Sequence, residues 1–378
     1  MRATILFFFL LAPVVLGAEL DRTGRLIEEL ANAPGPSGFE GPVRAIISRE
    51  LAASGAAVST DGLGSVIGVV RGTADRPRIM LVAHMDEVGL MVRRIDGDGY
   101  LRVQVLGGFS ERALADKRWT ILTHKGPVPA VSGLKSVHIT STDESHRTST
   151  ATDVFLDVGA KSAEEVAALG IRVGDPIAPW SPFTVMAGGR YAAKAFDDRI
   201  GCAMLVETAR RLKERNLRPP STIYFVGSVQ EEVGLRGART ATQTVKPDLG
   251  MALEVGVAGD HPGVSPEEAQ SKLGGGPSIF LYEGSMLPNL KLRDLFMRTA
   301  EQSSIPLQMD IISRYGQDSS QIQKYATGTP TIAFSVPTRY LHTHISMIDR
   351  SDFDRAVDLL VKVLMQLDQK AVSELASF

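Results

Sequence analysis

Histidine and carboxylate residues gather in five short stretches of this sequence: His84-Met85-Asp86-Glu87, Asp197-Asp198, Glu231-Glu232, Glu254 and His342. Imidazole and carboxylate are the donors taken by a catalytic divalent ion that keeps one coordination position open. A peptide bond resists water at neutral pH, and such an ion polarises the carbonyl and lowers the pKa of a bound water to about 7. Two ions about 3.5–4 Å apart hold the attacking oxygen and the developing oxyanion together. That arrangement needs one carboxylate shared between the ions and another, free of metal, as general base. Adjacent Glu231 and Glu232 suit this division, because neighbouring side chains of an extended segment point to opposite sides. Paired carboxylates also serve glycoside hydrolysis, about 5–9.5 Å apart across a sugar ring. The histidines would then have no task, so an endoglucanase-like hydrolase is the alternative. Taken singly, each motif has a bland explanation: a solvated Glu-Glu face, or Asp197-Asp198 as a helix cap.

The surrounding elements explain how residues so distant in sequence would meet. Ile79 to Ala83, Thr222 to Ser228, Leu249 to Glu254 and Thr331 to Ser335 read as strands, and the first, continuously apolar, reads as a buried parallel one. His84, Glu231 and His342 follow three of these strands and Glu254 ends the fourth. In open α/β sheets, sites form outside the carboxyl ends of the strands. A helix is predicted from Asp197 to about Glu214, its dipole favouring the two aspartates at its start. Further helices are predicted at 22–33, 40–54, 290–302, 319–325 and 351–369. From Val88 to about Gly189 the pattern changes to short alternating stretches with glycine-rich turns, such as Asp96-Gly97-Asp98-Gly99, the mark of β-hairpins. The reading is an α/β catalytic domain, 19–87 and 189–378, with a small β-rich domain at 88–188 inserted into it.

With 378 residues and a net charge of −2, the chain has room for such an insertion and no basic stripe for nucleic acid. Residues 1–18 combine Arg2, an apolar run from Ile5 to Val15, and small residues at Gly17 and Ala18. This is read as a signal peptide, with a mature protein that is periplasmic or secreted and has no stable membrane insertion. Cys202 is the only cysteine, which excludes an intrachain disulfide, and it is read as a core residue. His124, His138, His146 and His261 carry no partner pattern, and Trp119 and Trp180 read as packing.

The stretches His84–Gly89, Ala195-Phe196-Asp197-Asp198-Arg199, Glu231–Ala238, Asp157–Ser162 with Gly174-Asp175-Pro176, and Pro337–Thr343 resemble the cocatalytic metallo-aminopeptidases. These are of the tetrahedral (TET) and glutamyl aminopeptidase type, and the resemblance spans nearly all of the chain after residue 18. It implies an α/β fold, a mixed sheet flanked by helices in a zinc-peptidase-like three-layer sandwich, with an inserted β-rich barrel domain that dimerises. It implies an aminopeptidase acting on peptide substrates with two divalent ions per subunit, zinc or cobalt, and a homo-oligomer from dimer to dodecamer. Asp197 would bridge the ions; His84 and Glu254 would complete one, and Glu232 and His342 the other. Glu231 would be the general base and Asp86 would orient His84. The family usually has aspartate where this chain has Glu254, a position at which deblocking or carboxypeptidase-like two-metal hydrolases vary. Its Gly-Thr-Asp-Ala stretch stands here as Gly316-Gln317-Asp318-Ser319. His344 competes with His342, and the family position favours His342.

Overall fold

The computed structural model describes residues 19–142 and 150–377. The leader at 1–18 and His146 lie outside the described residues. Among those residues no helix is long and apolar enough to cross a membrane.

The larger of two sheets has eleven strands. Its centre is four parallel neighbours, Thr222–Ser228, Arg78–His84, Leu249–Val257 and Thr331–Arg339. Val66–Val70 continues it antiparallel on one side and Ser346–Asp349 on the other. Alternation along a strand sends successive side chains to opposite faces, and both faces here are covered. Ile79, Leu81 and Ala83 pack among the helices Arg22–Asn32, Gly41–Ala53, Phe196–Glu214 and Arg350–Leu364. Met80 and Val82 pack on the other face, against Ala238, Ala241 and Val245 of the helix Arg236–Val245 and Ile322. The fold is therefore a mixed sheet between two helical layers, as expected. The long apolar strands of the sequence are its centre because only doubly covered strands dispense with polar alternation.

The second sheet is antiparallel and barrel-like, in the order Gly126–Ser132, Lys117–Thr123, Pro176–Pro179, Gly89–Ile95, Leu101–Leu106, Phe155–Leu156. It has its own core around Trp119, Leu90, Val103 and Ile121. Its last strand ends at Pro179, and Thr184–Val185 already pairs with Arg190–Ala193 in the large sheet. Val137–Ile139, apolar in sequence, is an exposed helical turn and no strand. The predicted closing helix at 351–369 is two helices, Arg350–Leu364 and Gln369–Ala376, the second capped by Asp368.

Candidate active site

The register of the central strands sets their ends level. Ser228 lies opposite His84, and Ala252 lies opposite Val82, which brings Glu254 alongside His84. Past Ser228 the chain turns through left-handed backbone at Gln230 (φ 56°) and Leu235 (φ 57°), and this turn carries Glu231 and Glu232. Past Arg339 it turns again at Tyr340 (φ 64°) and His342 (φ 54°). The outcome is that His84, Asp197, Glu231, Glu232, Glu254 and His342 converge at the carboxyl ends of the central strands.

Asp197 stands between the two imidazoles. Its Oδ1 is 3.0 Å from His84 Nε2 and its Oδ2 is 3.4 Å from His342 Nε2. The other ring nitrogens face backbone: His84 Nδ1 is 3.2 Å from the Asp86 carbonyl and His342 Nδ1 is 2.9 Å from that of Gly108. With Nδ1–H donating to a carbonyl, Nε2 is the nitrogen left to take a cation. Glu231 Oε2 is 4.0 Å from His84 Nε2, whereas Glu232 Oε2 is 3.7 Å from His342 Nε2. The adjacent glutamates thus face different imidazoles, from a turn and not from an extended segment.

Asp86 is fully buried and has a wider task than the sequence suggests. Its carboxylate is 3.5 Å from His84 Nδ1, but it accepts closer hydrogen bonds from Ser37 Oγ (2.6 Å) and from the backbone N–H groups of Glu231 (3.0 Å) and Glu232 (3.2 Å). It clamps the glutamate turn onto the histidine loop. Asp197 and Asp198 correct the expected helix start. Their backbones are not helical (φ −83°, ψ 105° and φ −120°, ψ 48°), so regular helix begins after them. Asp198 does cap it, accepting from Gly201 N (2.9 Å) through Oδ1 and from His84 N (3.2 Å) through Oδ2.

The donor atoms form two overlapping groups that a cation would suit, His84–Asp197–Glu232 and His84–Asp198–Glu254, each within 4.8 Å. Because both Asp198 oxygens are engaged by backbone N–H groups, we read Asp198 as scaffold and Asp197 as donor. Burial, reinforced by neighbouring carboxylates, pushes Glu231 and Glu254 well above the usual range and Glu232 to about 7. Burial alone would depress the two histidines. The carboxylates instead hold His84 well up and His342 at about 10, with Glu231 and Asp197 acting on the first and Asp197 and Glu232 on the second. Glu232 Oε1 and Glu254 Oε1 are buried with no hydrogen-bond partner, a rare state for native polar atoms. Crowded carboxylates with orphaned oxygens fit divalent cations, which would offset the crowding and take up the free oxygens. Glu254 reaches the cluster with its longer side chain.

Asp318, singled out with Gly316-Gln317-Asp318-Ser319, is buried, accepts from the Ser228 hydroxyl, and is raised to about 6 by its burial. Its charge also acts on Glu231, so the stretch does border the site. A support that sequence motifs gave no role is the ion cluster beneath the site. Lys194 Nζ is 2.7 Å from Glu87 Oε1, and Arg199 Nη2 is 3.4 Å from the same oxygen. Arg199 also donates from Nε to the carbonyl of Met85 (2.8 Å), between His84 and Asp86. Cys202 is buried, as expected, with its thiol on the His84 carbonyl.

His344 points away from the cluster. Its Nε2–H donates to the Arg118 carbonyl (2.7 Å), its ring stands on Trp119 with centroids 4.7 Å apart, and Nδ1 has no partner. It joins the large sheet to the barrel. Burial lowers its pKa to about 4 from an ordinary 6.5, because a second proton would leave a buried N–H unpaired. Between those values the unfolded chain binds a proton that the folded chain refuses, so stability falls as pH drops from 6.5 to 4. The full loss is about 3 kcal/mol. His344→Gln retains a donor and does not titrate, so its unfolding free energy, followed by urea denaturation, is expected to fall less steeply over that window than that of the unsubstituted protein.

Residues 64–359 match the family described as M42 glutamyl aminopeptidase. A lysyl aminopeptidase of Pyrococcus furiosus is 35% identical, over 90% of this chain and 96% of its own. The crystal structure of a TET aminopeptidase from a marine sediment Thaumarchaeota archaeon is 41% identical, covers 93% of this chain and 98% of its own, and superposes with a TM-score of 0.91. A Pyrococcus horikoshii TET1 peptidase, described as assembling into a tetrahedron or a large octahedral shell, is 29% identical over 91% of this chain and all of its own, with a TM-score of 0.83.

Proposed function

This chain belongs to the M42 glutamyl aminopeptidase family and is a metal-dependent peptide hydrolase; from that premise we propose that it removes N-terminal residues with two divalent ions and Glu231 as general base. The observation that carries the reading is Asp197, with one carboxylate oxygen toward each of two imidazoles. That is the geometry of a shared ligand. His84 and Glu254 would hold one ion and Glu232 and His342 the other, with zinc or cobalt matching imidazole and carboxylate donors. When bound, the ions supply Lewis acidity and a water acidic enough to attack near neutral pH.

The chain's own residues do the rest. Glu231 takes a proton from the attacking water and delivers it to the leaving amine nitrogen. Burial, which raises its carboxyl, makes it a competent proton carrier in both directions. Asp86 fixes the backbone from which Glu231 works, and the Asp86 and Gly108 carbonyls fix the tautomers of His84 and His342. A glucan-hydrolase role leaves both imidazoles without a task, so it is not favoured. Export through the leader at 1–18 and dimerisation through residues 88–188 belong to the same proposal, the latter supported by exposed Val131, Leu134, Val137 and Trp180. N-terminal sequencing of exported protein and sedimentation would test these two points.

The test of the central reading is a chelation series. Aminoacyl-nitroanilide hydrolysis is expected to vanish on chelation and to return on adding zinc or cobalt. Activity surviving complete metal removal would overturn it.

A further inference from the structure

The turn that carries Glu231 presents three consecutive backbone N–H groups, those of Gln230, Glu231 and Glu232, to carboxylates. Asp86 accepts from the second and third. The first goes to a residue outside the metal-binding stretches. Glu40 Oε1 accepts from Gln230 N (3.1 Å), 190 residues along the chain, and from Gly38 N (2.7 Å). Glu40 is 2% exposed. Burying a carboxylate is costly unless hydrogen bonds compensate it, and Gly38 and Gln230 supply them.

Glu40 stands at the N-cap of the helix Gly41–Ala53, where a side-chain oxygen ordinarily accepts from the first helical N–H groups. Its side chain makes no such bond and is turned across to Gln230 instead. Gln230 is where an anchor is needed. Its φ of 56° is left-handed, a conformation that a non-glycine residue keeps only where its surroundings fix it. Glu40 holds the N–H side of that residue, and Arg236 N, donating to the Gln230 carbonyl (3.2 Å), holds the other. With any other backbone at Gln230 the chain would leave Ser228 in a new direction. Glu231 Oε2 would then lose its place 4.0 Å from His84 Nε2. The loop that carries Glu40 is itself fixed to the histidine loop. Gly35 N donates to Glu87 Oε1 (2.9 Å), Glu87 N to the Gly35 carbonyl (3.0 Å), and Ser37 Oγ to Asp86 (2.6 Å).

We propose that Glu40 is a positioning residue for Glu231. Its carboxylate holds the left-handed backbone at Gln230, and so sets where the general base stands relative to the attacking water and the leaving nitrogen. The inference rests on the aminopeptidase reading, with Glu231 as proton carrier, and adds to it a residue that touches neither substrate nor metal. A catalytic group misplaced by about 1 Å loses up to about 10²-fold in rate.

The experiment measures leucyl-nitroanilide hydrolysis by the metal-loaded enzyme carrying Glu40→Ala, Glu40→Gln and Gln230→Gly, singly and combined. Hydrolysis by the unsubstituted enzyme, and its loss in Glu231→Gln, test the aminopeptidase reading alone, so failure there is separable from failure of Glu40. Glu40→Ala is expected to lower kcat about ten- to a hundredfold, with KM and bound metal within about twofold of the unsubstituted values. Glu40→Gln keeps an acceptor in the same place and should hold kcat within about threefold. Adding Gln230→Gly to Glu40→Ala should recover at least about threefold, because glycine takes up left-handed backbone without an anchor. In the Glu231→Gln protein, Glu40→Ala should change kcat by less than about twofold, because the group it positions is already gone. Should Glu40→Ala not fold, Glu40→Asp, one methylene shorter, carries the same expectations. A kcat unmoved by Glu40→Ala overturns the proposal, as does a loss that Gln230→Gly does not relieve or that adds in full to that of Glu231→Gln. So does an equal loss in Asp352→Asn, whose buried carboxylate likewise accepts from two backbone N–H groups, of Gly274 and Gly276, in a loop that carries none of the site's residues.

Discussion

Glu231→Gln is expected to lower kcat by about 10²–10⁴-fold while bound metal and KM stay close to those of the unsubstituted enzyme. The amide keeps the size of the side chain and loses its capacity to accept and return a proton. Nothing that holds the turn is touched, because Asp86 grips the residue through its backbone N–H (3.0 Å) and not through its side chain. The carboxylate that faces His342, Glu232, is also intact. The prediction is checked by steady-state kinetics together with metal analysis on the same preparation. A fall in kcat accompanied by loss of metal would make Glu231 a ligand and leave the proton carrier unassigned. A change under tenfold would remove it from the chemistry.

The parts of this site that were legible in sequence are those that strands deliver. The strands could be placed from their apolar residues, above all the continuous run Ile79 to Ala83, and polar residues just past them had to come out together at the carboxyl ends. His84 and Glu254 follow directly. The turns beyond the strands were less legible. His342 and His344 are two residues apart, and what separates them is left-handed backbone at Tyr340 and His342, conformations that leave no periodic trace. His344 is thereby sent into the barrel interface with Trp119. Asp197-Asp198 before an apolar helix has the same sequence signature whether the residues cap the helix or stand ahead of it, and here Asp198 caps while Asp197 faces the imidazoles.

Contacts between remote segments left still less trace. Asp86 meets Ser37 and the glutamate turn across 49 and 145 residues of chain, and Glu87 meets Lys194 across 107. The short strands Ala57–Thr60, Ser278–Glu283 and Gln308–Ile312 lie at the margins of the large sheet, and burial on part of their surface gives only broken alternation.

Asp197→Asn is the more severe substitution of the two. The amide occupies the place of the carboxylate but carries no charge, and its nitrogen is a donor, so it offers one acceptor where two were available. In the folded protein Asp197 is the anion that faces both His84 and His342. Of the remaining carboxylates, Glu231 lies toward the first histidine and Glu232 toward the second. Two cations held about 4 Å apart repel each other strongly in a buried site, and an anion between them is what offsets that repulsion. The expected result is therefore a fall to one ion or fewer per subunit, with kcat/KM lower by about 10³-fold or more, equivalent to a loss of about 4 kcal/mol. Metal analysis after dialysis measures the first and initial rates the second, with circular dichroism to establish that the fold persists. Raising the metal concentration should recover little activity, because the defect is a missing bridge and not weakened affinity at one position. An Asp197→Asn protein that retains two ions and near-normal turnover would transfer the bridging role to Asp198, whose carboxylate lies within reach of His84 and Glu254.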